Sequence, residues 1–346
     1  IDHTKVEGTG DLSNFPVLIS HTDANLKTVS NGGRVEDAQG DDIIFALPDG
    51  TVLAHEVELY VPTTGQIIAH VNVPTVDGDA NTTIRIYYGG TTITTSQQNA
   101  AGTWNSAYKG VWHMSQDPSG SSPQILDSTS NDYDMTAAGT MTSGDLVTGQ
   151  INKAIEFDGS DDELKNTAWS SVISGNGART IESWFNIAST PNANWISWGA
   201  AAGNELSSMG CYANDIGFLG YANDNLTSGA PYDDGLWHHM VITHDGSTMK
   251  VLIDGVEVIS LSETLATSTG ADLYFGRYVG GSYFPGKLSE IRISNTARSN
   301  EWAITQYNNQ SNPGTFYSLG SEVGLCGSTS PSISSSISPS VSPSVS

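Results

Sequence analysis

The sequence predicts an all-β protein: two β-sandwich domains in tandem, then a Ser/Pro-rich C-terminal tail. The first observation is the stretch Trp237 to Ile259, WHHMVITHDGSTMKVLIDGVEVI, where β-branched runs flank the turns His244-Asp245-Gly246-Ser247 and Asp254-Gly255. Asp-Gly between strand-like runs is a strong hairpin signal because Gly takes the positive φ of a tight turn. Second, Met240-Val241-Ile242 and Val251-Leu252-Ile253 are apolar on both faces, as in the middle of a two-layer sandwich. Third, residues 1–90 carry no helical period, only short strand-like runs set apart by turn residues.

Those runs are Phe15–Ile19, Asp42–Ala46, Val52–Tyr60, Gln66–Val73 and Thr83–Tyr88, divided by Pro48-Asp49-Gly50, Thr64-Gly65, Asp77-Gly78-Asp79 and Gly89-Gly90. Even spacing of this kind reads as a sandwich or barrel. The chain then divides into a first domain at 1–90, a small polar linker at 91–102 (TTITTSQQNAAG), a second domain at 103–322 and a tail at 323–346. The linker is short enough that the two domains should touch. Asn300 to Tyr307 is the one plausible helix, expected as a short surface turn. In residues 327–346, eleven are Ser, three are Pro and none is charged, the composition of a solvated stalk that buries no core.

Blocks of sequence carry two resemblances. IDHTKVEG, DLSNFPVLIS, GDDIIFALPDGTVLAHEVE, GQIIAHVNVP and TTIRIYYGG, in that order, resemble an uncharacterised extracellular β-domain often found before laminin-G-like modules of bacterial, archaeal and phage surface proteins. The family's opening strand starts earlier than Ile1, which implies an edge left unpaired at the N-terminus. YKGVWHM, ILDSTSNDYD, KAIEFDGSDDEL, RTIESWFNI, the WHHM meander and GKLSEIRIS resemble the laminin-G-like, concanavalin A-like jelly roll. That resemblance implies two antiparallel sheets of about six or seven strands, making both sandwiches jelly-roll-like.

Charge narrows the functions. Thirteen basic against 37 acidic residues give −24, which argues against nucleic acid and against anionic lipid. Low charge density with much Gly, Ser, Thr and Asn fits an extracellular protein on a cell or virion surface, and the start at Ile1 reads as a processed product. No apolar run approaches the ~20 residues of a membrane span, so no insertion is expected from this segment. Cys211 and Cys326 leave open either a disulfide or two separate thiols. Asn81, Asn225 and Asn309 stand in N-glycosylation sequons.

Candidate sites follow from side-chain chemistry. Oxygen-rich loops at Asp127–Asp132 and Phe157–Glu163 suit Ca²⁺, which needs six to eight oxygens. The resemblance places such a metal where these loops meet the return strand, implying Asp127, Asn131, Asp158 and Glu290 as ligands. The competing reading makes the loops Asx-turns, with Glu290 pairing Arg292 or Arg179. Aromatics interleaved with Asn, foremost Trp195, Trp198, Tyr221 and Tyr278, suit a sugar surface; Trp184 and Trp237 are expected in the core. No ExDxxE-like carboxylate pair, GxSxG or HExxH occurs, and Glu56 and Glu58 fall in the other domain, so no enzyme is expected. Two functions remain: a calcium-assisted module binding glycans or surface proteins, or a filament subunit that assembles through domain faces, the open edge strand and the tail.

Overall fold

Where the N-terminal sequence alternates, strands form: β1 (Leu12–Thr22), β2 (Ile44–Ala46), β3 (His55–Val61), β4 (Gln66–Val76) and β5 (Arg85–Tyr87). The computed structural model describes residues 1–189, 192–227 and 232–324; the Ser/Pro tail and Cys326 lie outside the described residues. An antiparallel sheet of order β1-β4-β3 and the ribbon β2-β5 share one core, with Phe15, Val17, Phe45, Ile67, Val71 and Val73 buried in it. A helical turn, α1 (Ala100–Thr103), ends the segment read as a linker, and Trp104 after it packs into the same core.

The rest of the chain alternates into β6 (Tyr108–Trp112), β7 (Thr136–Ala138), β8 (Leu146–Thr148), β9 (Lys153–Asp158), β10 (Glu163–Asn166), β11 (Arg179–Asn186), β12 (Ala193–Gly199) and β13 (Leu206–Tyr212). It continues with β14 (Asp215–Phe218), β15 (Asn225–Leu226), β16 (Trp237–His244), β17 (Thr248–Ile253), β18 (Val256–Ser262), β19 (Leu273–Phe275) and β20 (Pro285–Ser294). These make two facing sheets. One is seven-stranded, β15-β14-β13-β12-β19-β10-β7; the other is eight-stranded, β18-β17-β16-β11-β20-β9-β8, with β6 also on β20. Between them lies a core of Ile181, Phe185, Met240, Ile242, Ile291 and Ile293 against Trp195, Trp198, Met209 and Phe275.

The central meander folds as the sequence indicates, β16, β17 and β18 pairing in succession. Asp254 and Gly255 both take positive φ, 50° and 75°, the backbone of a tight hairpin turn. Asp254 is more than a turn former. Its carboxylate accepts the His239 backbone N–H at 2.8 Å and contacts His238 Nδ1 at 2.7 Å. Trp237, expected in the core, is only half-buried.

The two-sided apolar character of these strands has a cause beyond the sandwich. Helix α2 (Asn300–Ser311) returns across the rear of the eight-stranded sheet, where Val241 and Leu252 pack on Ala303, and α3 (Pro313–Phe316) follows it, with Phe316 in the N-terminal core. The expected short surface turn is therefore a three-turn helix with Trp302, Ala303, Thr305, Gln306, Asn309 and Gln310 buried. Its N-terminus is capped by Ser299, whose hydroxyl accepts from Trp302 N. Trp302 meets Phe15 edge-on at 4.8 Å, tying the helix into the N-terminal core.

The N-terminus also departs from expectation. Ile1 lies in no strand: a 3₁₀ turn at His3–Lys5 precedes β1, and the Ile1 amino group donates to the Thr82 carbonyl at 2.8 Å. Nor is the β1 edge open. Asn309 accepts from Leu18 N at 2.6 Å and donates to Leu18 O at 3.0 Å. The Tyr317 hydroxyl accepts from Ser20 N at 3.0 Å and donates to Ser20 O at 2.8 Å. Two side chains thus stand in for a neighbouring strand, which corrects the expectation of an unpaired edge at this place. They also correct the sequon at Asn309, whose amide is buried and doubly bonded.

Replacing Asn309 with Ala should strand a buried N–H and C=O of Leu18 and cost on the order of 2–4 kcal/mol in urea unfolding. His238 offers a pH test. Burial disfavours its protonated ring, but hydrogen bonds and charges from Asp254 and then Asp234 outweigh this and raise its pKa above 6.5. A raised folded pKa stabilises fully below the unfolded value and fades as pH climbs through the folded one. His238→Gln should therefore lower the melting temperature more at pH about 5.5 than at pH about 9.

Candidate functional site

The junction of the two sheet systems holds a buried group that the sequence reading did not assemble. On β3, the alternation of HEVEL sets Glu56 and Glu58 on one face, and Glu56 stands opposite His70 of β4. β6 runs directly into His113. β20 carries Glu290 and, two residues on, Arg292. Glu290 sits at φ 51°, left-handed backbone that a Glu rarely adopts, where β20 changes neighbour from β9 to β6. The distortion falls between the core-facing Leu288 and Ile291, and the Glu290 carboxylate meets the N-terminal domain.

Distances define a connected chain of charge. His113 Nδ1 lies 2.5 Å from Glu290 Oε1 and 3.8 Å from Glu58 Oε2, and its Nε2 is 3.3 Å from Glu56 Oε2. His70 Nε2 is 3.4 Å from Glu58 Oε2 and 3.9 Å from Glu290 Oε1, its ring stacked on His113 at 4.7 Å. Arg292 donates to Glu290 Oε2 at 3.0 Å, lies 3.6 Å from Glu182 and covers the Trp104 ring at 4.9 Å. Glu182 in turn meets His239 at 3.2 Å and accepts from Gln310 at 3.1 Å. The Glu58, His70, Glu290 and Arg292 side chains are at most 2% exposed.

Burial opposes the charged forms of His113, Glu56 and Glu290, and their neighbours outweigh it. Desolvation opposes the His113 imidazolium, yet Glu290 and Glu56 raise its pKa well above 6.5. Against the same desolvation, His113, Ser128 and Trp104 bring Glu56 down to about 2, while His113, His70 and Arg292 hold Glu290 low. A cleft of about 480 Å³ opens onto this chain, with Glu56, Glu58, His113, Asp127, Ser128 and Asp132 in its walls.

The four residues expected to hold calcium are not brought together, which corrects that set. Asp127 reaches the cleft wall, but its oxygens accept from Val111 N, Thr129 N, Thr129 Oγ1 and Tyr133 N, each at 2.9 Å. Asn131 is exposed and donates to Tyr108 O and Thr129 Oγ1. Glu290 takes the alternative reading and pairs Arg292. Arg179 instead donates to Thr267 and to backbone carbonyls. Asp158 is an Asx-turn acceptor for Ser160 N at 2.7 Å; its carboxylate neighbours are Asp161 and Asp162.

The aromatic set divides as well. Trp195 and Trp198 are core residues, 0% and 2% exposed, and cannot offer a ring face; this corrects their assignment to a ligand surface. Tyr221 is 53% exposed and half-buried Tyr278 is close by, its hydroxyl pKa raised by burial and by Tyr221 and Asp224. Tyr221 is held at φ 76° by Asp224, which accepts from Gly220 N and Tyr221 N at 3.0 Å. Of the sequons, Asn81 is exposed, whereas half-buried Asn225 donates to Glu263 at 3.2 Å.

With this geometry in view, comparison with known proteins is informative about the parts. Residues 158–303 match the concanavalin A-like lectin/glucanases superfamily. Residues 39–113 match a domain of unknown function, DUF2341, upstream of it, the pairing expected from the sequence. No curated protein sequence matches the chain. Among solved structures, domain 4 of AbnA, a GH43 extracellular arabinanase of Geobacillus stearothermophilus in complex with arabinotriose, is 20% identical. The match covers 58% of this chain and 98% of that one, at a TM-score of 0.47. The binding domain of Paraclostridial Mosquitocidal Protein 1 is 14% identical, with 58% and 52% covered and a TM-score of 0.45. The botulinum neurotoxin serotype G binding domain is also 14% identical, with 57% and 50% covered and a TM-score of 0.39. The chain spans about half the length of these toxin binding domains.

Glu56, Glu58, His70 and His113 escaped the sequence reading because they come from both sides of the expected domain boundary. The available signal was HEVE itself, two carboxylates on one strand face in a chain with few charges. His113→Ala should leave Glu290 and Glu56 without their imidazolium and cost about 3–5 kcal/mol, read from urea unfolding.

Proposed function

We propose that the chain is an extracellular, non-enzymatic binding module of a cell or virion surface, engaging neutral glycans at the rim formed by Tyr221 and Tyr278. The observation that carries this reading is Tyr221: an aromatic ring 53% exposed on left-handed backbone pinned by Asp224. Strain of that kind persists only where surrounding contacts enforce it, and it gathers at ligand sites. Tyr278 beside it supplies a second ring, and Asp224 an acceptor for sugar hydroxyls. The lectin/glucanase match of residues 158–303 supports the same class of ligand. A formal charge of −24 disfavours sulfated or sialylated chains.

Calcium enters this reading at Asp158, Asp161 and Asp162, whose carboxylate oxygens lie within 4.8 Å of one another. Surface proteins bearing such glycans are the corresponding macromolecular partners. Assembly into filaments is the weaker reading: the β1 edge meant to serve it is capped by Asn309 and Tyr317. No helix of the described residues is long and apolar enough to cross a membrane.

Calorimetry against neutral and sulfated polysaccharides tests the proposal. Binding confined to neutral glycans is expected, and Tyr221→Asn, which tolerates the same backbone, should weaken it at least about tenfold, roughly 1.4 kcal/mol. The melting temperature should not change. Affinity untouched by Tyr221→Asn and by Tyr278→Ala would refute the site.

A further inference from the structure

We propose that Glu58, His70, His113 and Glu290 form a binding site for a late first-row divalent cation, Zn²⁺ by donor chemistry, which staples the N-terminal sheet to the sandwich. Two strands on each side contribute. β3 and β4 bring Glu58 and His70 from the N-terminal domain; the end of β6 and the bulge of β20 bring His113 and Glu290 from the other.

The donor set is two imidazole nitrogens and two carboxylate oxygens, all four within 4.8 Å of one another. Mixed nitrogen and oxygen donors of this kind suit Zn²⁺ and its neighbours, whereas Ca²⁺ and Mg²⁺ take oxygen almost alone. Bonds of roughly 2.0–2.2 Å set the ligand atoms of a tetrahedral site about 3.3–3.6 Å apart. Edges of 3.4, 3.8 and 3.9 Å are already close to that figure. His113 Nδ1 and Glu290 Oε1, 2.5 Å apart, are within hydrogen-bond distance, and a cation between them would displace any proton there as the two atoms separate.

An outer shell is in place for three of the four ligands. His113 turns its other nitrogen to Glu56 Oε2 at 3.3 Å, and Glu56 is fixed by the Ser128 hydroxyl at 2.7 Å. Glu290 holds Arg292 through its second oxygen at 3.0 Å, and Glu58 accepts from Asn152 at 3.0 Å. A carboxylate on the far nitrogen of a ligating His fixes its tautomer and raises its basicity. His70 lacks such a group among the described residues and is oriented by stacking on His113 and by Trp104 at 5.2 Å.

Charge and access point the same way. Glu182 and Glu290 share one guanidinium, Arg292, whereas Glu56 and Glu58 face the two imidazoles, an excess of carboxylate donors that a bound cation would offset. The cleft that has Glu58 and His113 in its walls gives an entry path. Four protein ligands would close the coordination sphere, which marks a structural rather than a catalytic centre. The site lies apart from the tyrosine rim and does not depend on the glycan reading.

The test is a Co²⁺ titration of the chelator-treated, full-length protein, followed by visible absorption, with Zn²⁺ competition and metal content measured on the same samples. One equivalent should give the intense bands of tetrahedral Co²⁺, be displaced by Zn²⁺ and raise the melting temperature. His70→Gln and Glu58→Gln should weaken binding by more than the roughly 10–100-fold that Asn152→Ala, an outer-shell change, should cost. Circular dichroism of His70→Gln confirms that the variant is folded. A weak octahedral spectrum, no stoichiometric binding, or binding unchanged in folded His70→Gln would each overturn the proposal.

Discussion

Burying carboxylates is costly unless each finds a cation or a set of donors, and this chain buries four of them along one seam. From Glu56 the chain of charge passes through His113, Glu290, Arg292 and Glu182 to His239. Its members come from β3, the residue after β6, β11, β16 and β20, so both domains must be in place for Glu56 to meet His113. Pairs of this kind add little net stability compared with apolar packing, but a missing member leaves a charge stranded. The seam therefore acts on specificity: it favours one docking of the two sheet systems over every alternative that would separate Glu56 from His113 or His70 from Glu290.

The second device that fixes this docking is α2. Its sequence, NEWAITQYNNQS, is polar almost throughout, yet half its residues are buried. Three of the buried polar side chains have particular tasks. Gln310 accepts from Trp184 Nε1 at 2.5 Å and donates to Glu182; Asn309 closes the β1 edge; Thr305 accepts from Glu7 N at 2.9 Å. An apolar helix here would leave these groups unsatisfied, while a solvent helix would need none of them. With Trp302 and Phe316 in the N-terminal core, the last elements of the sandwich become structural parts of the first domain.

Left-handed backbone at residues other than Gly sits at three informative places. At Asp254 it belongs to a hairpin and is repaid locally by hydrogen bonds to His238 and His239. At Glu290 it accompanies the register change of β20 beside the buried seam. At Tyr221 it holds a ring in solvent, where packing gives no return. The first is explained by turn geometry; the other two carry side chains on which the proposed sites rest.

Much of the fold was legible because it is local. Alternation gave the strands of both domains, Asp-Gly gave the meander, and Trp184 was rightly assigned to the interior. Misreadings arose where a residue's surroundings come from far along the chain. Trp195 and Trp198 look like sugar platforms among their asparagines, but a register shift of β12 at Trp195 brings both, three residues apart, into the sandwich. Asn309 fits a sequon, but β1 claims its amide. Glu290 was expected at a loop-borne calcium site, yet it faces His113, 177 residues earlier in the chain. The sequence by itself determined periodicity and turns, because these depend on neighbours a few residues apart. Only the tertiary structure decided which polar groups would be buried together, because compensation of a buried charge depends on distance in space.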